Sequence, residues 1–179
     1  MPYEPPPDLA GLSLSEIAAL VEARKLPPVD QWQPESIGDS LMRIAADGRW
    51  YHDGGEIKRA AMVRAFASLL WRDPAGQHWL VTPHEKLAIE IDDAAFIATD
   101  VTRQNGALAF RLNTDDLVIA GADHPLRASG TAEAPALYLT VRHGTEARLN
   151  RSTWLQLAEL ADTDATVVSG GVRFALTPP

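Results

Sequence analysis

An α+β fold is predicted by three observations. From Leu41 onward the sequence runs in short apolar stretches of strand length, separated by Gly, Pro, Asn and Asp turn residues. Only three segments carry helical periodicity. Landmarks around the second of these segments return in the same order around the third. The fold expected is two duplicated units of antiparallel strands, each with one packed helix, preceded by an N-terminal helix.

The elements follow in order. Residues 2–8 are proline-rich and predict an extended, mobile tail. Ser13-x-x-Glu16 reads as a capping box, and Leu14, Ile17, Ala18 and Val21 follow at helical spacing until Pro27-Pro28 stop the helix near Lys25. Pro27 to Ser36 is a connector that leaves Trp32 exposed. Leu41–Ala45 and Trp50–His52 predict strands around the turn Asp47-Gly48. A helix from Arg59 to about Leu70 places Met62, Val63, Phe66, Leu69 and Leu70 on one stripe, and Asp73-Pro74-Ala75-Gly76 supplies the turn after it. Strands are expected at 78–82 and 87–91.

Asn105-Gly106 predicts a hairpin with a two-residue type I′ turn, because both residues tolerate positive φ. Its register sets Arg103 opposite Leu108, Val101 opposite Phe110, Thr99 opposite Leu112 and Asp100 opposite Arg111. A short strand at 117–120, a turn at Asp123–Arg127 and a loop of small residues from Ala128 to Ala136 come next. Strands at 137–142 and 146–149 lead to a helix over 151–161, packed through Trp154, Leu155, Ala158 and Ala161. Thr166–Ser169 and Val172–Leu176 close the chain as a hairpin around Gly170-Gly171. Trp50, Trp71, Trp79 and Trp154 are expected in the core.

The two later helices are entered alike. His52, a glycine turn and Ile57-Lys58-Arg59 precede the first, whereas His143-Gly144 and Leu149-Asn150-Arg151 precede the second. Each is followed by a strand ending in Thr-Pro, at Thr82-Pro83 and Thr177-Pro178. The offsets are 91 (His52 to His143), 92 (Arg59 to Arg151) and 95 (Thr82 to Thr177). This phase divides the chain into an N-terminal tail and helix (1–36), a first α+β unit (37–84) and a second, larger unit (85–179).

Composition excludes several classes. The 179 residues suffice for a core without disulfide or metal staples, and there are no cysteines for disulfides, thiol catalysis or thiolate zinc sites. A formal charge of −8 repels a phosphate backbone, so nucleic acid is not an expected partner. Leu117 to Ala122, the longest run without a polar side chain, is far short of the ~20 apolar residues that cross a bilayer. Residues 1–11 lack the basic start and apolar stretch of a secretory signal, so a cytoplasmic protein is expected. None of the five histidines belongs to an HExxH motif, so no metal site is expected, and nothing points to a cofactor.

The chemistry the pattern favours is anion binding. Lys58-Arg59 and Arg151 stand at helix starts, where free backbone amides and the helix dipole attract anions. Arg142, His143 and Arg148 add positive charge near the second helix. The expected ligand-binding set is His52, Lys58, Arg59, His124, Arg142, His143 and Arg151, holding a small anion between the units without catalysis. Arg59 and Arg151 would neutralise charge, Lys58 would assist, and His52 and His143 would supply hydrogen bonds. Two alternatives stay open. One is a protein-interaction module with no small ligand; the other is a hydrolase using His84-Glu85 or Asp123-His124.

Three stretches also resemble a known family. Ile44-x-x-Asp47-Gly48-x-Trp50-Tyr51-His52-x-Gly54-x-x-Ile57-x-Arg59, then Thr82-Pro83-x-Glu85-Lys86, then Asp123-His124-Pro125-Leu126-Arg127 resemble the bacterial domain-of-unknown-function family 1285. The resemblance runs from about residue 12 to 178, with Glu56 and Ala95 where the pattern leads one to expect proline. It implies a two-part fold with duplicated motifs whose C-terminal part is superficially pleckstrin-homology-like. It also implies a site between the parts for a nucleotide-based ligand and a role in signal transduction. It implies no catalytic residues.

Overall fold

Two six-stranded sheets share one strand order in the computed structural model, which describes residues 8–179. The first contains β1 (Ser36–Ile44), β2 (Trp50–His52), β3 (Gly55–Ile57), β4 (Leu70–Arg72), β5 (His78–Val81) and β6 (Glu85–Ile91), in the order β3-β2-β1-β6-β5-β4. The second contains β7 (Phe96–Gln104), β8 (Ala107–Leu112), β9 (Leu117–Ile119), β10 (Leu126–Gly130), β11 (Pro135–Thr140) and β12 (Glu146–Leu149), in the order β10-β11-β12-β7-β8-β9. Each sheet is thus two antiparallel three-strand meanders joined at the centre by one parallel pair, β1 with β6 and β7 with β12. The tail expected over residues 2–8 lies, apart from Asp8, outside the described residues.

The duplication is real, but its phase differs from the one expected. Equivalent strands lie about sixty positions apart, with Ser36 and Glu85 answered by Phe96 and Glu146. The landmarks at offsets 91–95 instead mark a hairpin–helix–hairpin that occurs in both units but does not occupy the same place in the sheets. In the first unit α2 (Ala60–Ala67) interrupts the sheet between β3 and β4; in the second, α3 (Arg151–Leu160) follows the last strand. The closing pair β13 (Thr166–Ser169) and β14 (Val172–Ala175) forms its own two-stranded sheet. Because β6 pairs with both β1 and β5, the division falls after Ile91 rather than at 84/85.

Local chemistry explains the elements. Around α1 (Leu14–Ala23) the Ser13 hydroxyl accepts from the Glu16 amide and the Glu16 carboxylate accepts from the Ser13 amide, both at 3.2 Å. That helix packs on the second sheet, not the first: Leu9, Leu12 and Ile17 bury themselves with Ala109, Leu117 and Ile119. Val63, Phe66 and Ala67 carry α2 into the core, where Phe66 stacks on Trp50 with ring centres 6.5 Å apart. The helix is shorter than expected; the Ser68 hydroxyl donates to the Ala65 carbonyl at 2.6 Å, and Leu70 already belongs to β4. Asn150 caps α3 by accepting from the Thr153 amide at 2.9 Å.

The Asn105-Gly106 hairpin forms as predicted, with φ of 49° and 78°. Arg103 faces Leu108, Val101 faces Phe110 and Asp100 faces Arg111, but a bulge between Ala98 and Asp100 puts Ala98, not Thr99, opposite Leu112. The Arg111 guanidinium turns to Asp115 at 2.7 Å, while the Asp100 carboxylate accepts from the Val101 amide. The small residues expected as a loop from 128 to 136 are largely paired in β10 and β11. Of the tryptophans expected in the core only Trp50 is fully buried; Trp71 and Trp79 lie across a β4–β5 pair and flank the Lys86 ammonium, 5.6 and 4.4 Å from their ring centres. One continuous core, from Met42, Ile44 and Trp50 to Phe96, Phe110, Leu139 and Leu157, runs through both units.

Candidate functional site

The units meet at the turn between β1 and β2. Its Gly48 has φ +91°, and a Cβ there would sit 2.7 Å from Ile97 Cγ1 and 2.9 Å from Asn113 Nδ2. Asn113 bridges the contact: its side-chain amide donates to the Gly48 carbonyl at 3.4 Å and its oxygen accepts from the Ile97 amide at 3.0 Å. A second bridge joins the Arg72 amide to the His143 carbonyl at 2.9 Å. His143 and Gly144 form the β11–β12 turn with φ of 50° and 79°, and a Cβ on Gly144 would lie 2.9 Å from the Arg72 carbonyl oxygen.

A cavity opens on each side of the Asn113 bridge. The larger, about 870 Å³, is a cleft between Ala46 and Asp47 of the first unit and Thr99, Arg148, Arg151 and Trp154 of the second. The smaller, about 390 Å³, lies at the start of α2 and is lined by Arg49, Trp50, Glu56 and Lys58. Asn113 lines both. The buried indole nitrogens of Trp50 and Trp154 have no hydrogen-bond partner among the described residues. In the cleft Arg148 is engaged with Asp93 at 3.0 Å, which holds its guanidinium above its ordinary pKa. Arg151 is exposed at the first position of α3 and makes no ion pair among the described residues. It is therefore a cation available to a ligand, beside free helix amides.

The other expected site residues are dispersed. Lys58 lines the smaller cavity, so the two helix starts face neighbouring cavities rather than one. Arg59 is the exposed N-cap residue of α2 and lines neither. His52 is exposed at the end of β2. The His124 Nδ1 is 3.0 Å from the Thr140 carbonyl oxygen, and no hydrogen bond joins His124 to Asp123 or His84 to Glu85 among the described residues. His143 contributes its backbone to the inter-unit bridge, and burial is the main cause pushing its imidazole pKa down.

Arg142 is committed internally. Its guanidinium lies over the Phe96 ring at 5.0 Å and reaches the Asp116 carboxylate at 3.4 Å. Sequence reasoning missed Asp116, which is 4% exposed and gathers three arginines from three segments: Arg24 after α1 at 2.8 Å, Arg64 on α2 at 3.5 Å, and Arg142. The Thr114 hydroxyl donates to the same carboxylate at 2.6 Å. Burial alone would push the Asp116 carboxyl up; the guanidiniums of Arg142 and Arg24 and the Thr114 hydroxyl outweigh it and hold it below the usual carboxylate range.

The stretches carrying the family resemblance have structural roles. Gly48 and Trp50 seat the first unit on the second, and Lys86 packs between two indoles. Arg127 forms a two-pronged bond to Glu146 at 3.1 and 3.0 Å and covers Tyr138, whose hydroxyl donates to Asp93 at 2.7 Å.

Comparison with known proteins agrees with this architecture. The model of the DUF1285 N-terminal domain matches residues 27–94, and that of the DUF1285 C-terminal domain matches residues 95–176, a division that falls between β6 and β7. The crystal structure of a DUF1285 family protein from Silicibacter pomeroyi DSS-3 is 37% identical, with a TM-score of 0.78 over 90% of this chain and 94% of that one. A DUF1285 family protein from Shewanella baltica OS155 shares the fold at 24% identity, with a TM-score of 0.56 over 67% of this chain and 91% of that one. No curated protein matches. With both halves matched in order and the duplicated sheets accounting for the shared residues, the chain belongs to the DUF1285 family.

Proposed function

We propose that this protein is a non-enzymatic binding protein that holds a small anionic, nucleotide-like ligand in the inter-unit cleft at the start of α3. The supporting observation is Arg151: a guanidinium without an ion pair among the described residues, at a helix N-terminus on the wall of a cleft of about 870 Å³ built from both units. Asn113 and the half-buried Trp154, whose indole nitrogen has no partner among the described residues, offer polar and stacking contacts suited to a base or ribose. A ligand touching both units would couple their relative placement to its concentration, which suits a signalling role.

A thermal-shift screen over nucleotides and inorganic phosphate tests the reading. At a hundred times its dissociation constant a ligand adds about 2.7 kcal/mol of stability. A nucleotide that stabilises the parent but not Arg151→Ala supports it; no shift with any nucleotide overturns it.

One observation favours a second reading as a protein-interaction module. Among the described residues the first half of β1, Ser36 to Asp39, pairs only with β6, and Ile37 and Leu41 beside that edge are 63% and 58% exposed. Such an edge pairs with an extended chain. Stoichiometric capture of one partner by the parent, lost on Ile37→Lys and kept on Arg151→Ala, would support this reading instead.

A further inference from the structure

Arginine is over-supplied around Asp116. Arg24, Lys25, Arg64, Asp115 and Asp116 line a cavity of about 400 Å³ under the C-terminal end of α1, with Arg142 behind it and Arg111 paired to Asp115. With Asp8 also 3.8 Å from Arg111, five cationic side chains here meet three carboxylates, in a protein whose net charge is −8. The bonding is also incomplete. Arg24 uses Nε on Asp116 and Nη1 on the Lys25 carbonyl, but its buried Nη2 has no hydrogen-bond partner among the described residues. The buried Nε of Arg142, which does not line the cavity, has none among them either. Guanidinium donors held out of water without partners carry a desolvation penalty that a second anion would relieve. Burial pushes the Arg142 guanidinium below its ordinary pKa, and the charges of Arg24 and Arg64 add to that.

We infer that this cavity is a second anion site, binding a phosphate or phosphate-ester group through Arg24, Lys25 and Arg64. It is separate from the cleft at α3 and does not depend on that reading. The bound anion shares the guanidiniums with Asp116 and clamps the end of α1 onto α2 and the β8–β9 turn. Because the clamped segment contains Arg24 and Lys25, the same anion protects it from trypsin.

The experiment uses the full chain with inorganic phosphate and, in a parallel arm, glycerol phosphate, against chloride at equal ionic strength. Saturable stabilisation and slower trypsin cleavage after Arg24 or Lys25 are expected in both the parent and Arg151→Ala. The tighter arm tells a free ion from an ester group, and either one supports the site. Arg24→Met and Arg64→Met should weaken binding by roughly tenfold or more, the worth of a charge-assisted bond. Lys25 makes no ion pair among the described residues, so Lys25→Glu leaves the Asp116 bonds intact and should also weaken phosphate. No saturable effect in either arm, or equal binding by Lys25→Glu and Arg64→Met, overturns the inference.

Discussion

Asn113 and Gly48 are joined at 3.4 Å across the seam between the two sheets, and the Gly48 backbone lies too close to Ile97 and Asn113 to carry a side chain. Gly54 has a similar φ, +82° against +91°, but no atom of the described residues beyond its chain neighbours lies within 4 Å of where a Cβ would be. Gly54→Ala is therefore expected to cost only the left-handed strain of about 1–2 kcal/mol. Gly48→Ala should cost a further ~1–3 kcal/mol of overpacking. Urea denaturation of both variants checks this; equal losses would mean the turn is not packed against the second unit.

Asp116→Asn keeps the shape and removes the charge that Arg24, Arg64 and Arg142 share. Breaking a buried pair by deleting one partner costs roughly 3–5 kcal/mol. The same carboxyl is held below its ordinary range, so its contribution is present above the ordinary value of 3.8 and is lost as pH falls through the depressed one. Denaturation of parent and variant at neutral and acid pH should show the gap closing in acid.

His78 and His143 give stability a second pH dependence. Burial is the main cause lowering both imidazoles, aided by Arg72 at His78 and by Arg142 at His143. The unfolded chain then binds protons more readily than the native one, so stability is full above the ordinary value of 6.5 and falls as pH drops below it. Between about pH 7 and pH 5 the double variant His78→Gln, His143→Asn should lose less stability than the parent. Asparagine is chosen at 143 because φ there is 50°.

Asp162 makes a surface test of hydrogen bonding. Arg173 and Thr166 hold its carboxyl down to about 2 although it is exposed. Carbon-detected NMR titration should find that midpoint, and Arg173→Met should return it toward 3.8.

Much of the fold is legible because its signals are local. The Ser13–Glu16 box and the Asn105-Gly106 turn form within three residues and two, and both appear where the chain predicts them. The phase of the duplication is not legible, because it depends on β1 meeting β6 and β7 meeting β12, partners that no neighbouring residue announces. The hairpin–helix–hairpin shared at offsets of 91–95 is a true local likeness in two different sheet positions. At the site, Arg151 follows from its place at a helix start. Arg142 looks alike in sequence, yet Asp116, 26 positions earlier, takes its charge inward. Asp116 itself sits in Thr114-Asp115-Asp116, and the arginines it gathers lie 26 to 92 positions away in sequence.

Calorimetric titration of the parent and Arg151→Ala, using the nucleotide that gives the largest thermal shift, tests the inter-unit site most directly. A binding event in the parent that is weakened roughly tenfold or more in Arg151→Ala is the result expected for loss of a charge-assisted contact. Equal affinity in the two proteins, or no heat of binding in either, would contradict it.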